Sequence, residues 1–491
     1  MQDYPQHLLQ AQILRVHNDP AFDYNEYFEF QLRAVYATFY LTTFFFSAIV
    51  PIEIAGKLSL SLYVILVAAV VVRFGRRFEN EDAPWGALLF FPMAFNQLYF
   101  LGMVNYLLSL PLLILALLDY DDLMSGTLNA WRIFRNFLWQ VALFITHPFS
   151  FLVYVLLAIV ASFMARRDAH QFWAKVLISM GPVFLLLIAF WVESAMTSAP
   201  KAPAADIIAW TSPIVTAAFF FLMFNGMAGS GEANPTTLAL WGAIIVIVIK
   251  AMFGHRREQC SLQSYILFPA IVAVGLFILP FRIGAYTYIN LRLTAIAYFL
   301  IALLVARVQF KGWLRYTLIM LVGLCMIDSS AKQVAISEEV SEIVPIVRRI
   351  PANSRILPLV FDHTSPELQK GFFDPHINDH NYYHILVGGG FNPYLPLASV
   401  NPVKYKKGAE RPAPGEYRAD GFLWEEHAAD YQYFLIRGAP KEFVCLMKRT
   451  CDQIAISGEW MLFERKSKAG DARERSRGSN DEVDPLICAK H

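Results

Sequence analysis

Between Arg33 and Asp328 the chain passes through one apolar run after another, most about the roughly 20 residues a helix needs to cross a bilayer. The runs lie near 34–50, 54–72, 84–101, 103–119, 131–146, 148–165, 172–192, 207–225, 235–253, 262–281, 291–308 and 313–328. Periodicity and length together predict an all-α polytopic membrane domain of about 11–12 helices, several of them broken. Only 16% of the residues are charged, against roughly 25% in ordinary soluble domains. The net charge of +1 excludes a nucleic-acid binder built on a basic field.

Several neighbouring runs are joined by a helix breaker rather than a true loop. Ile52-Glu53, Gly102 and His147-Pro148 mark such joints, since Pro removes a helix hydrogen bond and Gly loosens the backbone. Orientation follows from the basic residues of the short connections. Arg73, Arg76 and Arg77, then Arg166, Arg167 and Lys175, then His255-Arg256-Arg257, then Arg307, Lys311 and Arg315 are assigned to the cytoplasmic side. The joints at 97–105 and 147–148 and the loops 193–206 and 282–290 then face outward, as does everything after Asp328. Residues 1–32 carry Asp3, Asp19, Asp23, Glu26 and Glu29 against Arg15 and read as an external amphipathic loop. Two full spans between 33 and 73 conflict with this scheme, so one of those segments is expected to be interfacial or broken.

After Asp328 the composition shifts to mixed charge, Pro and Gly. Segments 355–360, 431–436 and 459–464 read as strands, and 331–350 has acids and Val/Ile at helical spacing. These predict an extracytoplasmic α/β domain over 329–466 and a disordered charged tail over 467–491. The opening residues lack the basic and apolar regions of a signal peptide. The five cysteines form no C-x-x-C pair. Cys445 and Cys451 share the external segment, where a disulfide is open but not established by spacing.

Asp3, in Asp3-Tyr4-Pro5-Gln6-His7, has two readings. It is a helix cap with Pro5 in the first turn, or a partly desolvated general base. The following helix, with Leu8, Leu9, Ile13 and Leu14 on its apolar face, suits a membrane surface. His147 orients a substrate or satisfies a carbonyl freed at the break before Pro148. Glu53 and Lys57, four apart on a helix, pair with each other. His376, His380 and His384 repeat at four-residue spacing, but Pro375, Asn378 and Asp379 favour a turn. No metal site is therefore assigned. Gly388-Gly389-Gly390 precedes Asn392-Pro393 rather than a helix, which argues against a phosphate cradle.

The acid-Tyr-Pro-x-His opening, the amphipathic external segment and the broken aromatic-rich spans together resemble the first part of GT-C-type membrane glycosyltransferases. Phe95-Asn96-Gln97, Gly102-Met103-Val104-Asn105-Tyr106, Pro280 and Asn290-Leu291-Arg292 agree with this, and the segments 388–393 and 431–438 resemble tails of bacterial proteins of that kind. The resemblance implies transfer of a sugar from a polyprenyl-phosphate donor to an acceptor on the outer face of a bacterial inner membrane. It makes Asp3 the catalytic base and His7, Asn96, Asn105, His147, Arg282 and Arg292 substrate-binding residues, with an Arg gripping the donor phosphate. The same arginines, read by residue type alone, snorkel to the interface. In that family a span precedes the acidic loop; none precedes Asp3, so a leading span is expected to be missing. The partners implied are membrane lipids, the lipid-linked donor and an acceptor whose identity stays open, as does the need for a divalent metal. A transporter or lipid flippase, and a non-catalytic envelope-assembly subunit, are the competing classes.

Overall fold

The computed structural model describes residues 1–31, 35–77, 83–127, 129–164, 169–196, 208–222, 235–254, 259–283, 287–308, 312–366, 374–395 and 401–466. Arg166, Arg167, His255-Arg256-Arg257, Lys311, most of loop 193–206, part of loop 282–290 and the charged tail fall outside them. The described chain is mostly helical with a small C-terminal sheet. It forms two units: a helical one built chiefly from Leu32–Gln333, and a second from Gln2–Gln31, Val334–Leu397 and the chain from Val403 onward. The helices used below are α1 (Tyr4–Val16), α2 (Ile52–Arg77), α3 (Val104–Ser125), α4 (Ala130–Thr146), α5 (Ile289–Arg307) and α6 (Trp313–Ser341).

In the helical unit, α3 is buried on nearly every face, as a helix apolar all round must be. α2, α4 and α5 pack against it. Gly86 lets a short helix approach α5 closely, because a Cβ there would lie 2.6 Å from the Ala306 Cα. At one end, Arg73 meets Asp119 at 3.3 Å and Asp122 at 3.0 Å, Arg77 meets Asp121 and Asp122, and Arg135 also reaches the buried Asp119. Two residues of the basic cluster, Arg73 and Arg77, are thus paired with acids of α3.

Among the described residues three helices are long and apolar enough to cross a membrane: Ile52–Arg77, Ile289–Ala306 and Trp313–Val347. That is fewer than the sequence count of about 11–12. Breakers account for much of the difference. The run at 84–101 divides into Ala83–Ala87, Phe90–Ala94 and Gln97–Leu101, with Pro84 and Pro92 inside the first two and the left-handed Gly102 ending the third. The run at 34–50 contains a helix of ten residues, Thr38–Ser47, about 15 Å long, which removes the conflict over two full spans before Arg73. The last helix does not stop near Asp328 as expected; α6 continues to Ser341, with Lys332 pairing Asp328 one turn back at 3.2 Å.

The second unit centres on a four-stranded sheet of β1 (Ile356–Val360), β2 (Tyr433–Arg437), β3 (Cys451–Ser457) and β4 (Trp460–Arg465), ordered β1-β2-β4-β3. β1 and β2 are parallel and the other pairs antiparallel. Alternation assigns side chains to two cores, because successive residues of a strand point to opposite faces. Ile356, Val360, Leu435, Trp460 and Leu462 enter one core; Leu357, Leu359, Phe434, Ile436 and Phe463 enter the other.

The opening segment, expected to stand alone as an external loop, belongs to this unit. The apolar face of α1, expected to lie on a membrane, is enclosed by protein: Leu9 and Ile13 pack with Tyr24, Phe28, Leu395 and Val403. Phe28–Phe30 pairs with Val403–Tyr405, and the Gly390 N–H donates to Asp23 Oδ1 at 2.5 Å. Gly389 and Gly390 sit at φ +72° and +80°, and a Cβ on either would strike Asn353 or the Ser354 carbonyl. The triple-glycine turn therefore serves close backbone approach. Cys451 is a free, buried thiol, so no Cys445–Cys451 bridge forms.

Candidate functional site

Among the described residues of the helical unit, a polar cluster surrounds the end of α4. α4 stops at Thr146 because Pro148 forces His147 out of the helical region, to φ −162° and ψ 112°. The break carries a buried imidazole whose ring lies edge-on to Tyr36 at 4.6 Å and Tyr106 at 5.0 Å. The Tyr106 hydroxyl donates to the Arg292 carbonyl, tying α3 to the first turn of α5. Arg292 also acts on His147 through its charge. Arg292 Nε and His147 Nδ1 are both buried without a hydrogen-bond partner. Two groups expected to bind substrate are thus brought together by a tyrosine, from three distant parts of the chain. A guanidinium with an unpartnered N–H is a donor awaiting an oxygen, and phosphate or carboxylate fits it best.

The other expected residues of this unit have different positions. Asn96 caps the helix Gln97–Leu101: its Oδ1 accepts from the Leu98 N–H at 2.9 Å and its Nδ2 donates to the Met93 carbonyl at 2.7 Å. Asn105 Oδ1 accepts from the Phe39 N–H at 2.8 Å, serving the start of Thr38–Ser47. Both amides hold backbone ends that would otherwise be buried without partners. Arg282 lies in a two-residue bridge, Arg282–Ile283 against Ile208–Ala209.

The second unit gathers a set of acids and amides around Asp3. Asp3 occupies the cap position of α1, yet its side chain makes no capping bond. Instead Asp3 Oδ1 accepts from Asn378 Nδ2 at 3.2 Å. Gln6, one turn on, donates to the Tyr394 carbonyl at 3.0 Å and to Glu416 Oε1 at 3.5 Å. Gln2 accepts from the Asp374 N–H at 2.8 Å and donates to the Tyr417 hydroxyl at 3.2 Å. Desolvation pushes the Asp3 carboxyl from 3.8 up to about 7. Glu416 rises to about 8, by desolvation first and then by repulsion from Asp3. Burial thus keeps both carboxyls protonated closer to neutral pH than an ordinary acid, and Asp3 adds repulsion at Glu416. Burial lowers His7 to about 4, leaving it a neutral imidazole on the same helix.

The three four-spaced histidines do not share a helix face. They lie on a turn, the 3-10 segment Asp379–Asn381 and the short helix Tyr382–Leu386. His376 is held between Asp379 at 2.7 Å and Glu339 at 3.0 Å, while His380 and His384 turn to the carbonyls of Ile377 and Gly389. Among the described residues no group of three His, Cys, Asp or Glu is arranged to hold a metal ion.

Tyr106, Gln6, Asn378 and Glu416 were not singled out from sequence. Gln6 carried a signal, since Asp3, Gln6 and Gln10 share one face of a helix at i, i+3 and i+7; Glu416, in an irregular loop, carried none. Compared with protein-family models, curated proteins and solved structures, the chain matches none.

Proposed function

We propose that this protein is a polytopic membrane glycosyltransferase of the GT-C type, which moves a sugar from a polyprenyl-phosphate donor to an acceptor hydroxyl on the outer face of the membrane. The observation that carries the reading is the state of Asp3: partly buried, not used as a cap, and lifted to about 7 beside Glu416. A carboxylate so tuned takes a hydroxyl proton at neutral pH better than an ordinary aspartate. The membrane setting is supported by the three helices long and apolar enough to cross a bilayer and by the exposed Ile49, Leu185, Trp191, Ile214 and Ile327 of the helical unit.

In the reaction the acceptor oxygen attacks the anomeric carbon as the bond from that carbon to the phosphate oxygen breaks. Asp3 receives the hydroxyl proton, and polyprenyl phosphate leaves with the bonding pair. Within the helical unit, Arg292 is the donor whose chemistry suits a phosphate, and its backbone carbonyl accepts from the Tyr106 hydroxyl.

The test is transfer of a radiolabelled lipid-linked sugar by purified protein. Asp3→Asn preserves size and capping ability but removes the base, and the rate falls roughly 100- to 10,000-fold. Wild-type rate rises as pH passes about 7, when Asp3 ionises. Unchanged transfer by well-folded Asp3→Asn protein ends the assignment.

A further inference from the structure

The helix Ala169–Met196 carries a tryptophan toward each end, Trp173 and Trp191. Their separation is five whole helical turns, so the two indoles share one face about 27 Å apart. Both are exposed, Trp191 at 72%. Between them Leu177, Phe184, Leu185 and Ile188 are exposed as well, Leu185 at 70%. Residues 176–192 contain no charge. A Cβ added at Gly181, near the midpoint, would meet nothing within 4 Å. The opposite face is packed. Ser179, Met180 and Val183 are buried there, and Gln140 of α4 donates from Nε2 to the Ser179 carbonyl at 2.7 Å.

Contacts fix where the Trp173 end lies. Lys175 donates to the Met124 and Gly126 carbonyls at 2.9 and 2.7 Å, at the end of α3 where Arg73, Arg77 and Arg135 meet the aspartates. Exposed Trp131 opens α4 at that end, next to Arg132, which donates to the Asp122 and Thr127 carbonyls. Exposed tryptophans and cations thus lie at one level of the helical unit.

Tryptophan settles at the head-group level of a bilayer, where its apolar ring and its polar N–H both find suitable surroundings. Lysine and arginine sit well at the same level. An uncharged strip about 27 Å long, closed by indoles at both ends, comes near the roughly 30 Å of a bilayer's hydrocarbon core. A second copy of the chain is the other cover such a face could have. Close helix contacts in lipid favour small residues, and this face is lined chiefly by Leu, Phe and Ile, with its tryptophans at the ends rather than the centre.

We propose that the helix Ala169–Met196 also crosses the bilayer, with its Trp173–Trp191 face against phospholipid chains and the two indoles at the two head-group levels. This rests on the membrane setting proposed above and is independent of the sugar transfer.

The experiment uses the full chain in phospholipid nanodiscs, with benzoylphenylalanine placed singly at Leu177, Leu185, Ile188 and, as the inward control, Val183. After irradiation, mass spectrometry finds phospholipid adducts at the first three positions and protein adducts at Val183. A second measurement needs no bulky probe. Gly181→Arg shifts membrane integration of the helix on the order of 100-fold toward the unintegrated form, since it places a charge at mid-depth. Trp191→Arg is tolerated, because its side chain reaches the head groups. On a water-facing helix the order reverses, since Gly181→Arg only gains helix propensity. Crosslinks from Leu177, Leu185 and Ile188 to a second copy, or the absence of lipid adducts at all three, overturn the proposal. Integration of Gly181→Arg equal to that of Gly181→Ala does so too. If Ile65→Arg blocks integration while Gly181→Arg does not, the membrane setting stands and this face is lost. If both integrate normally, the setting falls with it.

Discussion

The two units place their apolar and polar side chains in opposite ways. In the second, alternation along β1, β2 and β4 sends large apolar side chains into two cores, with Trp460, Phe434 and Phe463 each 0% exposed. Its buried side-chain atoms without hydrogen-bond partners are spread through the unit, from Gln10 to Arg411, Tyr431 and Trp460. In the helical unit Ile65, near the middle of α2, is 60% exposed, while Asp119 at the end of α3 is 1% exposed and engaged by two arginines. Each arrangement suits a different solvent, water for the second unit and, on the function proposed above, lipid for the helical one. Water rewards burial of the sheet's apolar faces; a lipid surround accepts apolar side chains and requires charges to find partners inside.

The largest effect is expected where the contrast is sharpest. Phe463→Ala opens the core on one face of the sheet and costs about 3–5 kcal/mol, measured by denaturant unfolding of the second unit's tryptophan signal. A cost under about 1 kcal/mol would mean that this face is not a packed core. Ile65→Arg then asks which solvent surrounds α2. In lipid an arginine at mid-span costs about 2.5–3.5 kcal/mol of insertion, read as loss of membrane-integrated protein. On a water-facing helix such a surface change stays within about 0.5 kcal/mol, and normal integration would remove the membrane reading of the unit.

Arg292→Lys keeps the charge and loses the planar pair of donors. A charge-assisted hydrogen bond contributes about 1.5–3 kcal/mol, so KM for the lipid-linked donor rises about 10- to 100-fold while the melting temperature holds. An unchanged KM leaves Arg292 as a partner of Tyr106 and nothing more. The smallest effect is a slope. Asp3 and Glu416 are raised in the folded protein, so folding favours their protonated forms. The contribution is full below about pH 4 and is lost as pH rises through about 7 and then about 8. The wild-type melting temperature should fall from about pH 5 to about pH 9, and Asp3→Asn should flatten that fall. Equal slopes would mean that Asp3 ionises as it does in water.

Local chemistry was readable without the structure. The breaks at Ile52, Gly102 and His147-Pro148 follow from what Pro and Gly do to a helix, and the helices start or stop at those residues. The strands near 355–360, 431–436 and 459–464 follow from alternation and fall at Ile356–Val360, Tyr433–Arg437 and Trp460–Arg465. The length of α6 was misjudged because a charged helix and an apolar helix share one backbone geometry, and Asp328 marks a change of surroundings without ending the hydrogen-bond ladder.

Partnership was decided by the tertiary structure alone. An amphipathic helix has an apolar face whether lipid or protein covers it, and only the contacts of Leu9 and Ile13 with Tyr24 and Leu395 place α1 in a protein core. Asn96 and Asn105 have the same side chain as any binding residue, and their backbone partners show that they hold helix ends. Asp3 and Glu416 stand far apart in sequence, and no periodicity links them. Both carboxyls are raised by desolvation, and Glu416 also by its proximity to Asp3, which are properties of the folded chain rather than of either residue.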